Sequence, residues 1–361
     1  MKYVAPLWLP GGQLQTIWPA LFARRVQGMP PVYRRERWDT PDGDFIDVDY
    51  LVGDEKGVHT DGGRTDHTVD DSDELSSVQA MTKQQPMLVV FHGLEGSSRS
   101  HYGEAFAGLA RERGWACVLP HFRGCSGEIN CAPRAYHSGD HAEIGWVLQQ
   151  VRAAHPGPIV AVGVSLGGNA LLRWAAEVGT DAKQHVDAVA AVCAPTDLAA
   201  GGHAIGRGLN RQIYTRMFMK TLVPKALNKL AQYPGLFDRE ALLRSRDLYE
   251  FDNVFTAPLH GFKNTEDYWQ RASAQPLLAA IRIPALVLNA RNDPFVPAAS
   301  LPREDAVGPF VTLWQPQQGG HVGFPAGNPP GNVQAMPAAV MGWLAAHSGV
   351  PGCEAAQWGH G

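Results

Sequence analysis

Ser165 lies in the pentapeptide Gly-Val-Ser-Leu-Gly, which directly follows the apolar, β-branched run 159–162 and precedes residues typical of a helix. A strand, a sharp turn and a helix form the setting that holds a serine hydroxyl out at the end of a sheet. Gly163 and Gly167 permit such a turn because a β-carbon there would collide with neighbouring backbone. The turn also places the backbone N–H of Leu166 at a helix N-terminus, where it can stabilise a developing anion. We therefore expect a nucleophile at Ser165, the alternative being an ordinary strand-to-helix turn.

An acid and a histidine follow this serine, each just after a strand-like run. Asp293 comes after the run 285–288, and His321 comes after the run 311–314. The carboxyl ends of parallel strands share one edge of a sheet, so the three side chains can converge. A neutral imidazole can take the serine proton, and a carboxylate can hold that imidazole in the required tautomer. Alone, Asp293 is typical of a turn and His321 of a loop, but the chain order Ser, Asp, His predicts a catalytic triad.

A second donor for a developing oxyanion is expected in an earlier loop. The continuous apolar run 87–91 is typical of a strand buried on both faces, and His92-Gly93-Leu94 follows it. In serine hydrolases built on this plan, such a loop donates a backbone N–H to the oxyanion. We assign this second donor to the backbone N–H of Leu94, in addition to the backbone N–H of Leu166. A plain loop glycine is the alternative.

Strands and helices alternate around these loops, which predicts a mostly parallel central sheet with helices on both faces. Further buried strands are expected at 115–120 and 188–193. A helix is expected to run to about Ala154, beginning with a capping box formed by Asp140 and Glu143. The fold class is therefore α/β, with an inserted helical cap.

The chain is expected to form a single α/β domain over 1–361, with a core at about 30–52, 86–197 and 279–348. Residues 198–278 leave the alternating pattern and carry apolar residues at helical spacing, which predicts the cap. Residues 53–85 are rich in Asp, Gly, Ser, Thr and Gln, so we expect a disordered loop there.

Two segments before that loop are expected to pack around the core and at the edge of the sheet. The prolines and glycines of 8–21 are expected to preclude one long helix, so this segment is assigned only to packing on the core. A hairpin at a sheet edge is expected over 33–51, where Ile46 and Val48 alternate with Asp47 and Asp49 as in a half-buried strand.

Composition narrows the class of partner. Lys and Arg total 31 against 35 Asp and Glu, for a net charge of −4, and the cations are scattered, so a nucleic acid partner is not expected. The 5 cysteines are an odd number for a disulfide framework, which favours a reducing compartment. Without a signal peptide or a membrane-spanning run we expect a cytoplasmic protein, which an apolar surface could still bring into transient contact with a membrane.

No metal site is expected from the spacing of possible ligands. Cys125 and Cys131 match no standard zinc pattern, and His137 with His141 lacks the glutamate of the helical zinc motif. His59 and His67 fall in the polar segment 53–85 without ligand spacing.

The motifs together resemble the YheT-like group of the α/β-hydrolases, which also contains eukaryotic lipases of the ABHD type and yeast ethyl-ester esterases. The similarity spans nearly the whole chain, and the segments that carry it are 8–16, 92–96, 121–127, 163–169, 292–295 and 319–324. It implies that the group's serine, aspartate and histidine map onto Ser165, Asp293 and His321. It also implies that the single domain has the α/β-hydrolase fold, and that the protein hydrolyses carboxylic esters without a cofactor. The segment 53–85 departs from the group as an insertion.

Three functional hypotheses are compatible with these residues. The leading one is a serine esterase of medium- or long-chain acyl esters or lipids that forms an acyl-enzyme on Ser165. Transfer of the acyl group to an alcohol would use the same acyl-enzyme and differ only in the group that releases it. A binding protein on the same scaffold is the third, since fold alone does not determine function.

Overall fold

An eight-stranded, mostly parallel sheet forms the centre of the computed structural model, which describes residues 2–53 and 85–350. The strands are β1 (Tyr33–Asp39), β2 (Phe45–Leu51), β3 (Met87–Phe91), β4 (Ala116–Pro120), β5 (Ile159–Val164), β6 (Ala188–Val192), β7 (Ala285–Leu288) and β8 (Val311–Trp314). Their order is β1-β2-β4-β3-β5-β6-β7-β8. Only the pairs β1–β2 and β2–β4 are antiparallel. The predicted fold class is confirmed.

Helices cover both faces of the sheet. The α-helices are α1 (Gly11–Leu21), α2 (His101–Glu112), α3 (His141–Ala154), α4 (Leu166–Val178), α5 (Leu198–Ile205), α6 (Gly208–Asn210), α7 (Arg216–Gln232), α8 (Arg239–Arg244), α9 (Leu248–Phe251), α10 (Ala257–Leu259), α11 (Thr265–Ala272) and α12 (Ala335–His347). Two π-helical turns, Arg211–Thr215 and Asp252–Thr256, join α6 to α7 and α9 to α10. Short 3₁₀ helices lie at Gly179–Gln184, Gln275–Ala280, Ala298–Ser300 and Glu304–Ala306.

The core is divided by the sheet into two apolar layers. Side chains alternate across each strand, so Val89 of β3 packs in one layer and Val90 in the other. All residues of β3, β5 and β6 are buried, as expected for central parallel strands. This rigid centre fixes the loops that follow β3, β5, β7 and β8.

The edge hairpin forms as predicted, but the solvent-facing interpretation of its acids is wrong. Asp47 and Asp49 are both buried. The Arg37 guanidinium contacts both carboxylate oxygens of Asp47, at 2.8 and 2.9 Å. Arg35 binds Asp49 in the same bidentate way, at 2.7 and 2.9 Å, and His121 Nε2 lies 2.8 Å from Asp49 Oδ2. These partners offset the cost of removing the carboxylates from water.

The capping box expected at the start of α3 is absent. Asp140 is the N-cap residue, but its side chain accepts no hydrogen bond from the helix. Its carboxylate pairs with Arg134, and Glu143 accepts a hydrogen bond from Arg123 Nε at 2.6 Å. Both acids are thus held by cations on the loop after β4, and a charged partner outcompetes a neutral backbone N–H.

The N-terminal segment forms a helix where proline and glycine were expected to prevent a long one. Helix α1 has 11 residues, with Pro10 at its N-cap and Pro19 inside. A proline at the start costs little, because the first N–H groups of a helix have no partner within it. This difference matters below, because α1 packs against the loops of the site.

Residues 198–278 are largely helical and lie over the carboxyl end of the sheet, where they form a separate apolar cluster with Phe295 and Val296. Most of the segment 53–85 lies outside the described residues. Within residues 2–53 and 85–350, no helix is long and apolar enough to cross a lipid bilayer.

Candidate active site

Ser165 occupies the tight turn between β5 and α4. Its φ is 52° and its ψ is −118°, a conformation that a residue with a side chain rarely adopts. The Ser165 N–H donates to the Val192 carbonyl at 2.8 Å, which ties the turn to β6. A β-carbon at Gly163 would lie 2.4 Å from the Gly167 carbonyl oxygen, and one at Gly167 would lie 2.5 Å from that of His92. The local geometry is that predicted for a nucleophile elbow.

The structure brings His321 and Asp293 to this serine. His321 Nε2 lies 3.0 Å from Ser165 Oγ, and His321 Nδ1 lies 2.8 Å from Asp293 Oδ2. A proton on Nδ1 that is donated to the carboxylate leaves Nε2 free to accept the serine proton. The three residues come from the loops after β5, β7 and β8, as the sequence pattern requires.

Asp293 is fixed by its own loop. Its Oδ1 accepts backbone N–H groups from Phe295 at 2.7 Å and Val296 at 3.2 Å, so its Oδ2 is directed to His321. The Phe295 ring stacks on the His321 imidazole, with centroids 4.1 Å apart. The carboxylate and the aromatic face together restrict the histidine to the plane in which it meets Ser165.

The two predicted oxyanion donors are the backbone N–H groups of Leu94 and Leu166. Both residues line the same pocket as the serine. Within residues 2–53 and 85–350, neither N–H donates to another protein group. Two N–H groups that are already oriented can stabilise an oxyanion without reorganisation during the reaction.

The loop that carries Leu94 is held by its neighbour Glu95. Glu95 has a φ of 56°, and its N–H donates to the Tyr136 hydroxyl at 2.9 Å. The Tyr136 hydroxyl donates in turn to Glu95 Oε1 at 2.9 Å, and Lys225 Nζ of α7 donates to the same oxygen at 2.9 Å. The position of Leu94 is thereby linked to helix α7.

His92 anchors the other end of this loop as a neutral side chain. Burial lowers the pKa of His92 to about 3, so its Nε2 accepts the Phe122 N–H at 3.0 Å. Its Nδ1 lies 2.7 Å from the Gly93 carbonyl oxygen. These contacts fix the tautomer and hold His92 to the backbone, which favours a role in shaping the loop.

Cys193, at the end of β6, also reaches the triad. Potential ligand atoms of Cys193, Asp293 and His321 lie within 4.8 Å of one another, which is the donor set of a small metal site. Burial and the Asp293 carboxylate raise the pKa of the Cys193 thiol well above its usual range, and this disfavours the thiolate that a metal would need. The Cys193 Sγ accepts the Val322 N–H at 3.2 Å. The residues therefore fit a hydrogen-bonded triad better than a metal centre.

A mostly apolar pocket opens from Ser165 beneath the 198–278 segment. The space between its walls is about 1100 Å³, counting the part open to solvent. Phe218 and Leu222 of α7 line it, together with Phe251 and Phe255. Apolar side chains from this segment thus lie beside the serine.

Two further residues at the site come from helix α1 and were missed in the sequence. Thr16 Oγ1 accepts the backbone N–H of His321 at 2.8 Å, and Gln15 Oε1 accepts that of Gly319 at 2.9 Å. Neither residue type carries a catalytic signal, although both lie in the segment 8–16 that contributes to the family resemblance.

A family model described as the alpha/beta hydrolase fold matches residues 86–327. YheT of Escherichia coli K12, a candidate esterase by name, is 38% identical over 317 residues, which cover 87% of this chain and 84% of YheT. Phospholipase ABHD3 of Homo sapiens is 28% identical over 326 residues, covering 89% of this chain and 73% of that protein.

Among solved structures, Est1E from Butyrivibrio proteoclasticus, determined with ferulic acid bound, has a TM-score of 0.51 and 13% identity. The superposition covers 88% of this chain and 98% of that chain. At this level of identity the likeness concerns the fold alone.

Proposed function

Since the chain belongs to the YheT-like group of the alpha/beta-hydrolase family and is an ester-cleaving enzyme, we propose that it hydrolyses medium- or long-chain acyl esters. In this proposal Ser165 is the nucleophile, His321 the general base and acid, and Asp293 the residue that orients the imidazole. The N–H groups of Leu94 and Leu166 form the oxyanion hole.

The first half-reaction follows from the distances. Ser165 Oγ attacks the ester carbonyl carbon while its proton moves to His321 Nε2, 3.0 Å away. The carbonyl oxygen takes up the negative charge and binds the two N–H donors. The C–O bond to the alcohol then breaks, His321 returns the proton to the leaving oxygen, and the acyl group remains on Ser165.

The second half-reaction repeats these roles with water. His321 Nε2 takes a proton from a water molecule, whose oxygen attacks the acyl carbon. The resulting tetrahedral oxyanion is stabilised by the same two N–H groups. Its collapse breaks the bond to Ser165 Oγ, which recovers its proton from His321, and the carboxylic acid leaves. No cofactor takes part in this cycle.

The observation that carries the substrate class is the apolar pocket that starts at Ser165. Its aromatic and aliphatic lining, which includes Phe218, Leu222 and Phe255, suits a hydrocarbon chain. Each buried methylene contributes about 0.8 kcal/mol, so binding should improve with chain length until the pocket is filled.

A fluorophosphonate probe and a panel of p-nitrophenyl esters of graded chain length test the proposal. We expect covalent labelling at Ser165 and a kcat/KM that rises from acetate to a medium or long chain. Absence of labelling and turnover would contradict the proposal and favour a binding protein. Product analysis with added alcohol separates water from an alcohol as acyl acceptor, since only transfer yields a new ester.

We also propose that the enzyme is cytoplasmic and that it contacts a membrane surface transiently. Cys117, Cys125, Cys131 and Cys193 are free thiols, which suits the reducing environment of a cytoplasmic protein. Leu209 and Met217 are 59% and 52% exposed on the helices that lead into the pocket wall. Exposed apolar residues beside a lipid-binding pocket support transient contact with a membrane surface.

A further inference from the structure

Gln15 connects three separate parts of the chain through one buried side chain. It is 0% exposed, and its Nε2 donates to the Leu9 carbonyl at 2.8 Å. Its Oε1 accepts two hydrogen bonds, from Asn292 Nδ2 at 2.9 Å and from the Gly319 N–H at 2.9 Å. Asn292 directly precedes Asp293, and Gly319 lies two residues before His321. One amide therefore joins the loops that carry the acid and the base.

Thr16 makes the next link, and it contacts the catalytic histidine itself. Its Oγ1 accepts the His321 N–H at 2.8 Å and donates to the Gly12 carbonyl within α1 at 2.7 Å. The donation to Gly12 orients the hydroxyl so that a lone pair faces His321. Both Gln15 and Thr16 are buried, so water does not compete for these bonds.

Close backbone packing allows these contacts. A β-carbon at Gly323 would lie 1.7 Å from the Gln15 carbonyl oxygen, and one at Gly12 would lie 1.8 Å from the Asn292 carbonyl oxygen. Helix α1 thus lies directly against both loops.

The histidine loop needs such support because its backbone is strained. Val322 and Phe324 have φ values of 59° and 41°, in the left-handed region that favours glycine. Residues in such conformations persist only where the surroundings hold them. Just before this strained stretch, the N–H groups of Gly319 and His321 donate hydrogen bonds to Gln15 Oε1 and Thr16 Oγ1.

We propose that Gln15 and Thr16 are positioning residues, which set the distance between His321 and Ser165 through the backbone of the histidine loop. Helix α1 then belongs to the catalytic machinery and does more than cover the core. A displacement of about 1 Å at a reacting group can lower a rate about 10²-fold, so the loss of one such bond should be visible in kcat.

The test compares Thr16→Val with Thr16→Ser and with a matched control, Thr215→Val. Valine keeps the shape of threonine but removes the hydroxyl that accepts the His321 N–H. Serine keeps this hydroxyl. Thr215 is also buried, at 1% exposure, and its Oγ1 donates to the Ile205 carbonyl at 2.9 Å, but it does not line the pocket. All variants are assayed for kcat and KM on a soluble p-nitrophenyl ester, for fluorophosphonate labelling rate and for melting temperature.

We expect Thr16→Val to lower kcat and the labelling rate about 10- to 100-fold while KM changes less than about threefold. Thr16→Ser should stay within about threefold of wild type, and Thr215→Val should lower the melting temperature without this loss of kcat. The idea is overturned if Thr16→Val retains more than half of the wild-type kcat, or if Thr215→Val loses as much.

Gln15→Met provides an independent variant should Thr16→Val fail to fold. It keeps the side-chain length but removes the bonds to both loops, and we expect the same split between kcat and KM. An unchanged kcat in this variant contradicts the proposal. The inference rests on the proposed function, and the wild-type enzyme separates failure of the function from failure of the positioning role. If the wild type is not labelled, the proposed function is refuted. If the wild type is labelled and the variants are unaffected, only the positioning role is refuted.

Discussion

At the scale of single residues, the hydrogen bonds of Asp293 determine how His321 meets Ser165. One carboxylate oxygen is held by two backbone N–H groups, and the other faces His321 Nδ1 at 2.8 Å. Because the carboxylate cannot rotate without losing both backbone bonds, it presents an acceptor and thereby selects the Nδ1–H tautomer. The tautomer matters because only a bare Nε2 can act as the base.

Replacing the triad residues tests this assignment. Ser165→Ala and His321→Ala should each lower ester turnover about 10⁴-fold or more, since nucleophile and base act as a unit. Asp293→Asn should also lower kcat by orders of magnitude, because an amide N–H in place of Oδ2 would favour the wrong tautomer. Initial rates on a soluble ester, with circular dichroism to verify folding, provide the measurement. A folded Ser165→Ala enzyme with most of its activity would contradict the assignment.

Sequence reasoning reached Ser165, Asp293 and His321 because each follows a strand and the chain order is informative. Gln15 and Thr16 could not be found in this way. The bond from the His321 N–H to Thr16 Oγ1 joins residues 305 positions apart, and it uses the backbone of the histidine. A backbone donor leaves no mark on residue type, so only the folded chain reveals this contact.

At the scale of elements, helix α7 has two functions that depend on a single face, because Phe218, Leu222 and Lys225 are spaced i, i+4 and i+7. Phe218 and Leu222 line the pocket that contains Ser165, while Lys225 donates to Glu95 in the oxyanion loop. The helix therefore contacts both the space for the acyl chain and the loop expected to bind the oxyanion. Its apolar spacing predicted a helix, but the link to Glu95 required the structure.

Leu222→Ala should extend the preferred acyl chain by about two carbons, because the removed atoms leave room for further methylenes at about 0.8 kcal/mol each. Leu242→Ala is the matched control, since Leu242 is buried in the same apolar cluster but does not line the pocket. Both changes should cost about 2 to 5 kcal/mol of stability. The preferred chain length is read from kcat/KM over a series of p-nitrophenyl esters. This role of α7 would be contradicted if the preferred length shifted equally in both variants, or if it shifted in neither variant.

The same segment contains a half-buried acid, Asp252, in its second π-helical turn. It accepts hydrogen bonds from Thr256 Oγ1 at 2.6 Å and Trp269 Nε1 at 2.9 Å. Burial nevertheless raises the pKa of Asp252 to about 6. Between pH 4 and 6 the folded protein therefore retains a proton that the unfolded chain releases, so the stability contributed by this proton is lost as pH rises through that window.

Asp252→Asn should remove this dependence because asparagine does not titrate. The free energy of unfolding of wild type relative to the variant should fall by about 2 kcal/mol between pH 4 and pH 8, since one pKa unit corresponds to about 1.4 kcal/mol. Urea unfolding at a series of pH values measures the difference. Glu240→Gln, at an exposed position, serves as the control and should follow wild type; parallel curves for wild type and Asp252→Asn would refute the prediction.

Sequence patterns predicted elements best where burial is uniform. β3 and β5 are continuous apolar runs with every residue buried, and the sequence located both. The pattern failed at β2, where alternation suggested that Asp47 and Asp49 face solvent. Their arginine partners come from β1, across the hairpin, and the pairing of strands cannot be read from one strand alone.

At the scale of the whole molecule, charge is unevenly distributed. The net charge is −4, yet residues 198–237 contain no Asp or Glu, and their cations are Arg207, Arg211, Arg216, Lys220, Lys225 and Lys229. Lys225 and Lys229 bind protein groups, whereas Arg207, Arg216 and Lys220 are exposed. Exposed Leu209 and Met217 lie between these cations in the sequence. Apolar residues interspersed with cations are typical of surfaces that bind anionic membranes.

This distribution predicts that the enzyme binds vesicles containing anionic phospholipid more tightly than neutral ones, and less tightly as salt is added. Each cation near such a surface contributes about 1 kcal/mol, or about fivefold in affinity, so Arg216→Glu with Lys220→Glu should weaken binding about 25-fold or more. These side chains lie outside the pocket lining, so turnover of a soluble short ester should be unchanged. Vesicle co-sedimentation provides the measurement. The matched control is Arg239→Glu with Arg303→Glu, which replaces two exposed cations elsewhere. If both double variants lost vesicle binding equally, net charge and not this surface would govern the binding.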